Sequence, residues 1–236
     1  MHVAEPTTEV PGNKLRKVES FLNNFKERYK MLFQPNQNVA IDERMVKSRH
    51  RSGILQFLKD KPTRWRIKLW VLADSSNGYT IDFDVYIGKD AGRFVSDKGL
   101  AYDVVMKLIQ PYLHQGYHLF FHNFYTSIAL VNDLFELSVP SAGTVRVNRK
   151  GFPDSLKDVN IWAHRLGKGS IRWERVPPVL VVQWVDNKPG SLLTTIDNAN
   201  DLVQVKRNKV PNGVWTAVNV AQPKAISTYI TYISRR

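Results

Sequence analysis

The side chains that could do chemistry in this chain are oxygen and imidazole groups, because its 236 residues include no cysteine. Disulfides, thiolate zinc sites and a cysteine nucleophile are therefore excluded, and any metal would need carboxylate or histidine ligands. Asp42 follows the alternating residues Val39 and Ile41, at or near the end of a predicted short strand, and His122 follows the apolar run 117–121. A lone residue at such a place is typical of a turn, a cap or a backbone hydrogen bond. By themselves, these two residues define no site.

A strong positive charge marks the chain, with a formal net charge of +13 and a pI of about 9.9. A positive electrostatic potential attracts phosphate backbones, so the charge favours nucleic acid as a partner. The alternative is that the surplus charge only keeps the chain soluble. The densest basic segment, 44–68, has nine Lys or Arg residues and one acid, with Phe57 and Trp65 interleaved. Two interpretations of it stay open: phosphate contacts, or a solvated hairpin face.

Hydrophobic periodicity predicts alternating strands and helices between residues 18 and 147. An amphipathic helix begins at Val18 and ends before Pro35. Three predicted strands follow, the last two joined as a hairpin by the turn 74–78. Helices over 99–114 and 125–137 then alternate with two more strands, and Phe135 is expected to face the core. This order is typical of an α/β fold, a mixed sheet flanked by helices as in a ribonuclease-H-like core.

The pattern changes from about residue 147 to residue 212, where short strands and turns replace any long helical period. This composition predicts a β-rich insertion. Beyond it, Pro223 is suited to the first turn of a helix. The inward stripe expected on this final helix consists of Ile226, Tyr229, Ile230 and Ile233.

No apolar run approaches the roughly 20 residues that a membrane helix needs. The first twenty residues contain no apolar region of a secretory signal. We therefore expect no membrane partner and an intracellular location.

Five segments, in order along the chain, resemble the piggyBac transposase family. Each motif alone is weak, but five in the right order are a strong indication, and the resemblance covers roughly residues 18–236. It implies a ribonuclease-H-like fold, a nuclear location and cut-and-paste transposition of DNA. The segments are NVAIDERM at 38–45, KPTRWRIK at 61–68, NFYTS at 123–127, GTVRVNRKG at 143–151 and PKAISTY at 223–229.

The family resemblance also implies which residues would be catalytic. Family members gather Asp carboxylates from distant parts of the chain to hold two Mg²⁺ ions. Asp42 matches the first carboxylate, but His122 stands where the second is expected, directly before NFYTS. An imidazole suits zinc, nickel or copper better than magnesium and removes a negative charge. The third carboxylate is expected beyond Arg236, so Asp42 is the one metal ligand retained in a vestigial site, and no bound cofactor is expected.

The same resemblance divides the chain into four parts. Residues 1–35 are a tail and the remnant helix of an N-terminal DNA-binding and dimerisation region, and residues 36–146 are the ribonuclease-H-like core. Residues 147–212 are the β-rich insertion, and residues 213–236 are a truncated final core helix.

These observations lead to one functional hypothesis, a piggyBac transposase-derived protein that has lost catalysis and binds DNA through a basic face. Two alternatives stay open: an active metal-dependent transposase or nuclease, and a non-functional truncated remnant. The residues predicted to contact DNA are Arg49, Arg51, Lys59, Lys61, Arg64, Arg149 and Lys150.

Overall fold

The computed structural model of the chain describes residues 13–49, 52–59, 64–88, 95–209 and 216–233. The chain divides into two compact units, unit 1 over Met1–Pro111 and unit 2 over Tyr112–Arg236. Each unit combines β-strands with α-helices, as the predicted α/β class requires. Across the described ranges, no helix is both long enough and apolar enough to cross a membrane.

Unit 1 is organised around its third strand. Strand β1 runs antiparallel along one edge of β3, whereas β2 and β4 share the other edge, which confirms the predicted hairpin of β3 and β4. Ile41, Leu72 and Ile81 are fully buried in its core. The elements are α1 (Glu19–Leu32), β1 (Asn38–Lys47), β2 (Leu55–Phe57), β3 (Trp65–Asp74), β4 (Thr80–Val85) and α2 (Leu100–Ile109).

Helix α1 confirms the predicted amphipathic helix and lies against β4. The Nζ of Lys30 lies 2.7 Å from a carboxylate oxygen of Asp82, and the Nζ of Lys26 lies 5.2 Å from the centroid of the Phe83 ring. Burial lowers the pKa of Lys26, although the negative charge of Asp82 opposes that change. No residue of α1 is fully buried, and an apolar groove of about 360 Å³ lies between α1 and the sheet of unit 1.

Unit 2 contains a mixed sheet. Its strand order is β5-β6-β9-β8-β7, with β5 and β6 parallel and the other neighbours antiparallel, and β10 and β11 form a separate hairpin. The elements are β5 (His118–Phe121), α3 (Ile128–Glu136), β6 (Ser141–Thr144), α4 (Val159–Leu166), β7 (Ile171–Val176), β8 (Val179–Val185), β9 (Pro189–Thr194), β10 (Leu202–Lys209), β11 (Thr216–Pro223) and α5 (Lys224–Ile233).

The segment 147–212, predicted to be β-rich, contains four strands and also helix α4. The sequence pattern did not predict this helix, because it is only 8 residues long and its buried face consists of Val159, Trp162 and Ala163. Strand β9 pairs with β6, so this segment continues the sheet of unit 2. Its boundaries as an insertion stay a prediction.

Two apolar side chains expected to face the core are exposed instead. Phe135 in α3 is 42% exposed and Ile230 in α5 is 44% exposed, because each lies at the margin of its helix's apolar stripe. Leu134 and Tyr229, the residues that precede them, are buried and pack α3 and α5 onto the sheet.

A partly buried ion-pair cluster holds the far end of β8. Lys168 Nζ and Arg207 Nε lie 2.7 Å and 3.0 Å from the carboxylate oxygens of Asp186. Burial alone would raise the pKa of the Asp186 carboxyl, but pairing with these two cations outweighs it and lowers the pKa. The cluster ties the start of β7 and the hairpin strand β10 to the end of β8.

Candidate functional site

Asp42 lies in the interior of β1, in register with Val71 of β3. The expectation that it ends a short strand is wrong, because β1 continues to Lys47 and stays paired with β3 over that length. The Asp42 residue is partly exposed. Since side chains alternate along a strand, Glu43 projects to the other face, where Lys68 Nζ lies 3.2 Å from its Oε1. The neighbouring carboxylate therefore has its own partner and faces away from Asp42.

His122 directly follows β5, which confirms its predicted position at the end of a strand. The residue is exposed. Its backbone carbonyl accepts hydrogen bonds from the Tyr125 N–H and the Thr126 hydroxyl, both at 3.0 Å. This pair of bonds closes a tight turn after the strand, before the N-terminus of α3. The turn holds the His122 backbone in one conformation.

The His122 ring has a side-chain partner that the sequence analysis did not foresee. Its Nδ1 lies 3.0 Å from the hydroxyl of Tyr229 in α5, and that hydroxyl lies 3.4 Å from the Thr144 Oγ1 of β6. Tyr229 is 6% exposed, and burial raises the pKa of its phenol although hydrogen bonding with Thr144 opposes the change. The phenol is thus neutral at physiological pH. The predicted inward stripe of the final helix contained Tyr229, but nothing in the sequence paired it with His122.

Gly143 of β6 is required by a close approach to the same turn. A Cβ at Gly143 would lie 2.5 Å from the Thr126 Oγ1 and 2.6 Å from a ring carbon of Phe121. Side chains are not found at such distances, so the backbone of β6 can lie this close to β5 and the turn only with glycine here. This contact is a physical reason for the glycine that opens the GTVRVNRKG segment.

The Mg²⁺ ions that the resemblance implies do not fit the donors present. Magnesium takes hard oxygen ligands, whereas His122 offers an imidazole whose Nδ1 already faces the Tyr229 hydroxyl. Within the described part of the chain, no group of three or more His, Cys, Asp or Glu side chains is placed to hold a metal ion. The assignment of Asp42 as a retained metal ligand stays a prediction.

Besides Arg44, whose Nη1 donates to the Thr80 hydroxyl, four cations of the described residues of segment 44–68 are exposed: Lys47, Arg49, Lys59 and Arg64. In the part of the chain that the structure describes, none of the four has an ion-pair partner. The predicted DNA contacts Arg51 and Lys61 lie outside the described residues.

Arg149, predicted as a DNA contact, is half-buried, whereas its neighbour Lys150 is exposed. The Arg149 Nη2 donates to the carbonyls of Asn123 and Phe124 at 2.9 Å and 2.8 Å. The guanidinium therefore fastens the segment after β6 to the turn that follows His122. This structural contact leaves Lys150 as the more accessible cation of the pair.

Comparison with known sequences places these features in one family. A family model described as Transposase IS4 matches residues 1–235. The chain belongs to the piggyBac-type transposases. Human PiggyBac transposable element-derived protein 3 is 29% identical over 241 aligned residues, and human PiggyBac transposable element-derived protein 2 is 25% identical over 184. These alignments cover 97% and 76% of this chain but only 38% and 30% of the relatives.

A solved structure shares the fold of this piggyBac-type chain. The piggyBac transposase in a synaptic complex with hairpin DNA, solved by cryo-electron microscopy, superposes with a TM-score of 0.76 at 20% identity. The match covers 94% of this chain and 43% of that one. The likeness confirms the expected ribonuclease-H-like fold. The chain thus spans less than half the length of these relatives.

Proposed function

We propose that this chain is a transposase-derived DNA-binding protein that acts in the nucleus and does not cut DNA. The exposed basic side chains of unit 1 bind the phosphate backbone, and the position of the second catalytic carboxylate holds a histidine that serves as a hydrogen-bonding residue. The observation that carries the proposal is the set of exposed basic side chains in unit 1. The histidine at position 122, where the family resemblance implies a carboxylate, supports the loss of cleavage.

The DNA-binding part rests on charge and accessibility. Lys47 ends β1 and Arg49 lies two residues beyond it, whereas Lys59 and Arg64 lie between β2 and β3. All four belong to a segment with nine cations and one acid. Exposed cations without carboxylate partners are free to release phosphate counterions when DNA binds. The solved relative was captured with hairpin DNA, which supports DNA as the partner of this family member too.

The loss of cleavage rests on the chemistry of His122. A two-metal site gathers anionic oxygens around four positive charges, and an imidazole supplies none of that negative charge. Its Nδ1 is held by the Tyr229 hydroxyl at 3.0 Å, so the ring is built into unit 2 as a structural contact.

Measurement of duplex affinity against salt tests the binding. Changing Lys47, Arg49, Lys59 and Arg64 to alanine should flatten the plot of log affinity against log salt by about two to four units, since each lost phosphate contact removes about 0.9. The matched control removes two arginines and two lysines that are exposed in unit 2: Arg165, Arg175, Lys188 and Lys206. It should flatten the slope less. Equal small effects would show that the basic surface serves solubility.

Incubation of supercoiled plasmid DNA with Mg²⁺ or Mn²⁺ tests the loss of cleavage. We expect no nicking above a protein-free control. Nicking that disappears in Asp42→Ala would refute the proposal and would establish an active nuclease. Nicking that persists in Asp42→Ala would indicate a contaminating enzyme, which a second purification of the same variant would remove.

A further inference from the structure

Two aromatic residues lie exposed at the end of the unit 1 sheet. Phe57 of β2 and Trp65 of β3 are directly opposite each other in the antiparallel register, with ring centroids 5.0 Å apart and a tilt of 57° between the planes. Each residue is 51% exposed. The rings form a fixed pair, because two paired strands position them.

Packing in the hydrophobic core does not explain why aromatic residues occupy these two positions. Trp70, which lies further along the same strand, is 1% exposed, and the small strand β2 ends at Phe57. Large aromatic groups left half in water forgo part of the free energy that their burial would supply. Exposed aromatics set in a polar surround are typical of binding surfaces.

The charges around the pair identify the chemistry of the partner. Lys59 lies two residues beyond Phe57, and Arg64 directly precedes Trp65. The Ser48 N–H donates to the Trp65 carbonyl at 3.5 Å. This contact brings its neighbours Lys47 and Arg49 beside the same end of the sheet. These four cations are exposed. A purely apolar protein partner would gain nothing from them, whereas a partner with aromatic faces on an anionic backbone matches both features.

We propose that the Phe57–Trp65 pair is a stacking platform for an unpaired DNA base. The cations hold the phosphates on either side of that base, and the aromatic faces replace the stacking that the base loses outside a duplex. This inference rests on the proposed DNA binding and refines it, since it assigns the aromatic pair to single-stranded DNA and the cations to any DNA. Bases within an intact duplex are stacked on their neighbours and cannot use the platform.

The test compares a blunt duplex with the same duplex carrying a short single-stranded thymidine tail. Trp65→Leu should weaken binding of the tailed DNA about tenfold, in line with the loss of one stacked base. Binding of the blunt duplex should change less than about twofold, because the phosphate contacts remain. Trp65→Tyr should restore most of the loss, since a tyrosine ring also stacks.

Trp173→Leu is the matched control, because Trp173 lies on β7 of unit 2 and is 46% exposed. It should leave both affinities unchanged. Thermal melting of each variant identifies any that fails to fold, and Phe57→Leu then provides an independent test of the same platform. Equal losses for tailed and blunt DNA in Trp65→Leu, or no loss for either, would overturn the stacking inference while leaving the proposed DNA binding intact. A wild-type chain that binds neither DNA would overturn both.

Discussion

Replacement of Gly143 by alanine probes how tightly β6 lies against β5 and the turn after His122. The added Cβ would lie 2.5 Å from the Thr126 hydroxyl oxygen and 2.6 Å from a ring carbon of Phe121. Normal contacts between such atoms are about 3.5–4.0 Å. One of the two side chains, or the strand itself, must therefore move by about 1 Å.

The magnitude follows from the two contacts that are disturbed. Phe121 is fully buried, so its ring has no open space into which it can move, and overpacking of this kind costs about 1–3 kcal/mol. Thr126 is also buried, and its displacement would break its hydrogen bond to the His122 carbonyl, at a further cost of about 1 kcal/mol. We expect Gly143→Ala to lower the free energy of unfolding by about 2–4 kcal/mol.

Urea unfolding followed by tryptophan fluorescence measures this change. The matched control is Gly190→Ala, because Gly190 also lies in a strand of unit 2 but has no atom within 4 Å of an added Cβ. The control should be neutral or stabilise the chain slightly, since it restricts only the unfolded state. If Gly143→Ala unfolds at the same urea concentration as the control, the close approach of β6 to the turn is refuted.

Two further predictions concern the polar contacts of unit 2. Tyr229→Phe should lower the free energy of unfolding by about 1 kcal/mol and increase the mobility of the His122 ring measured by NMR. The control Tyr232→Phe, on the same helix, should change neither quantity. Equal effects of the two variants would exclude the contact between the Tyr229 hydroxyl and the His122 ring. Asp186→Asn should destabilise the chain by about 1–2 kcal/mol at neutral pH. The folded state lowers the pKa of Asp186, so the ionised carboxylate stabilises the folded chain above the unfolded-state pKa. This contribution is lost as the pH falls through the folded-state pKa. The unfolding curves of wild type and Asp186→Asn should therefore converge in acid. A gap that persists in acid would contradict the charge argument.

Periodicity predicted most of the fold because the elements of the chain carry clear apolar patterns. The β3–β4 hairpin, helix α2 and the β5-α3-β6 succession all lie where alternation or helical spacing placed them. Helix α4 was missed because two turns of helix with three buried residues do not establish a period. The prediction that Phe135 faces the core was wrong, because periodicity locates the apolar face of a helix but not the residues at the edge of that face.

The candidate site was less accessible to sequence reasoning. The motif NFYTS located His122, but residues 122 and 229 are far apart in the chain, and no local pattern predicts that their side chains meet. The length of β1 beyond Asp42 depends on pairing with β3, which overrides the polar composition of the strand's second half. The charge of Arg149 predicts a DNA contact, which stays a prediction, whereas its hydrogen bonds to the carbonyls of Asn123 and Phe124 arise only from tertiary structure.

The position of α5 has a consequence for synthesis of the protein. This helix packs on β5, β6 and β9 of unit 2, yet residues 224–233 leave the ribosome after every strand they cover. Unit 1 has its complete set of elements much earlier and can fold during translation. Until α5 is synthesised, the surface of β5, β6 and β9 that it covers is exposed, and exposed apolar surface favours aggregation of the nascent chain.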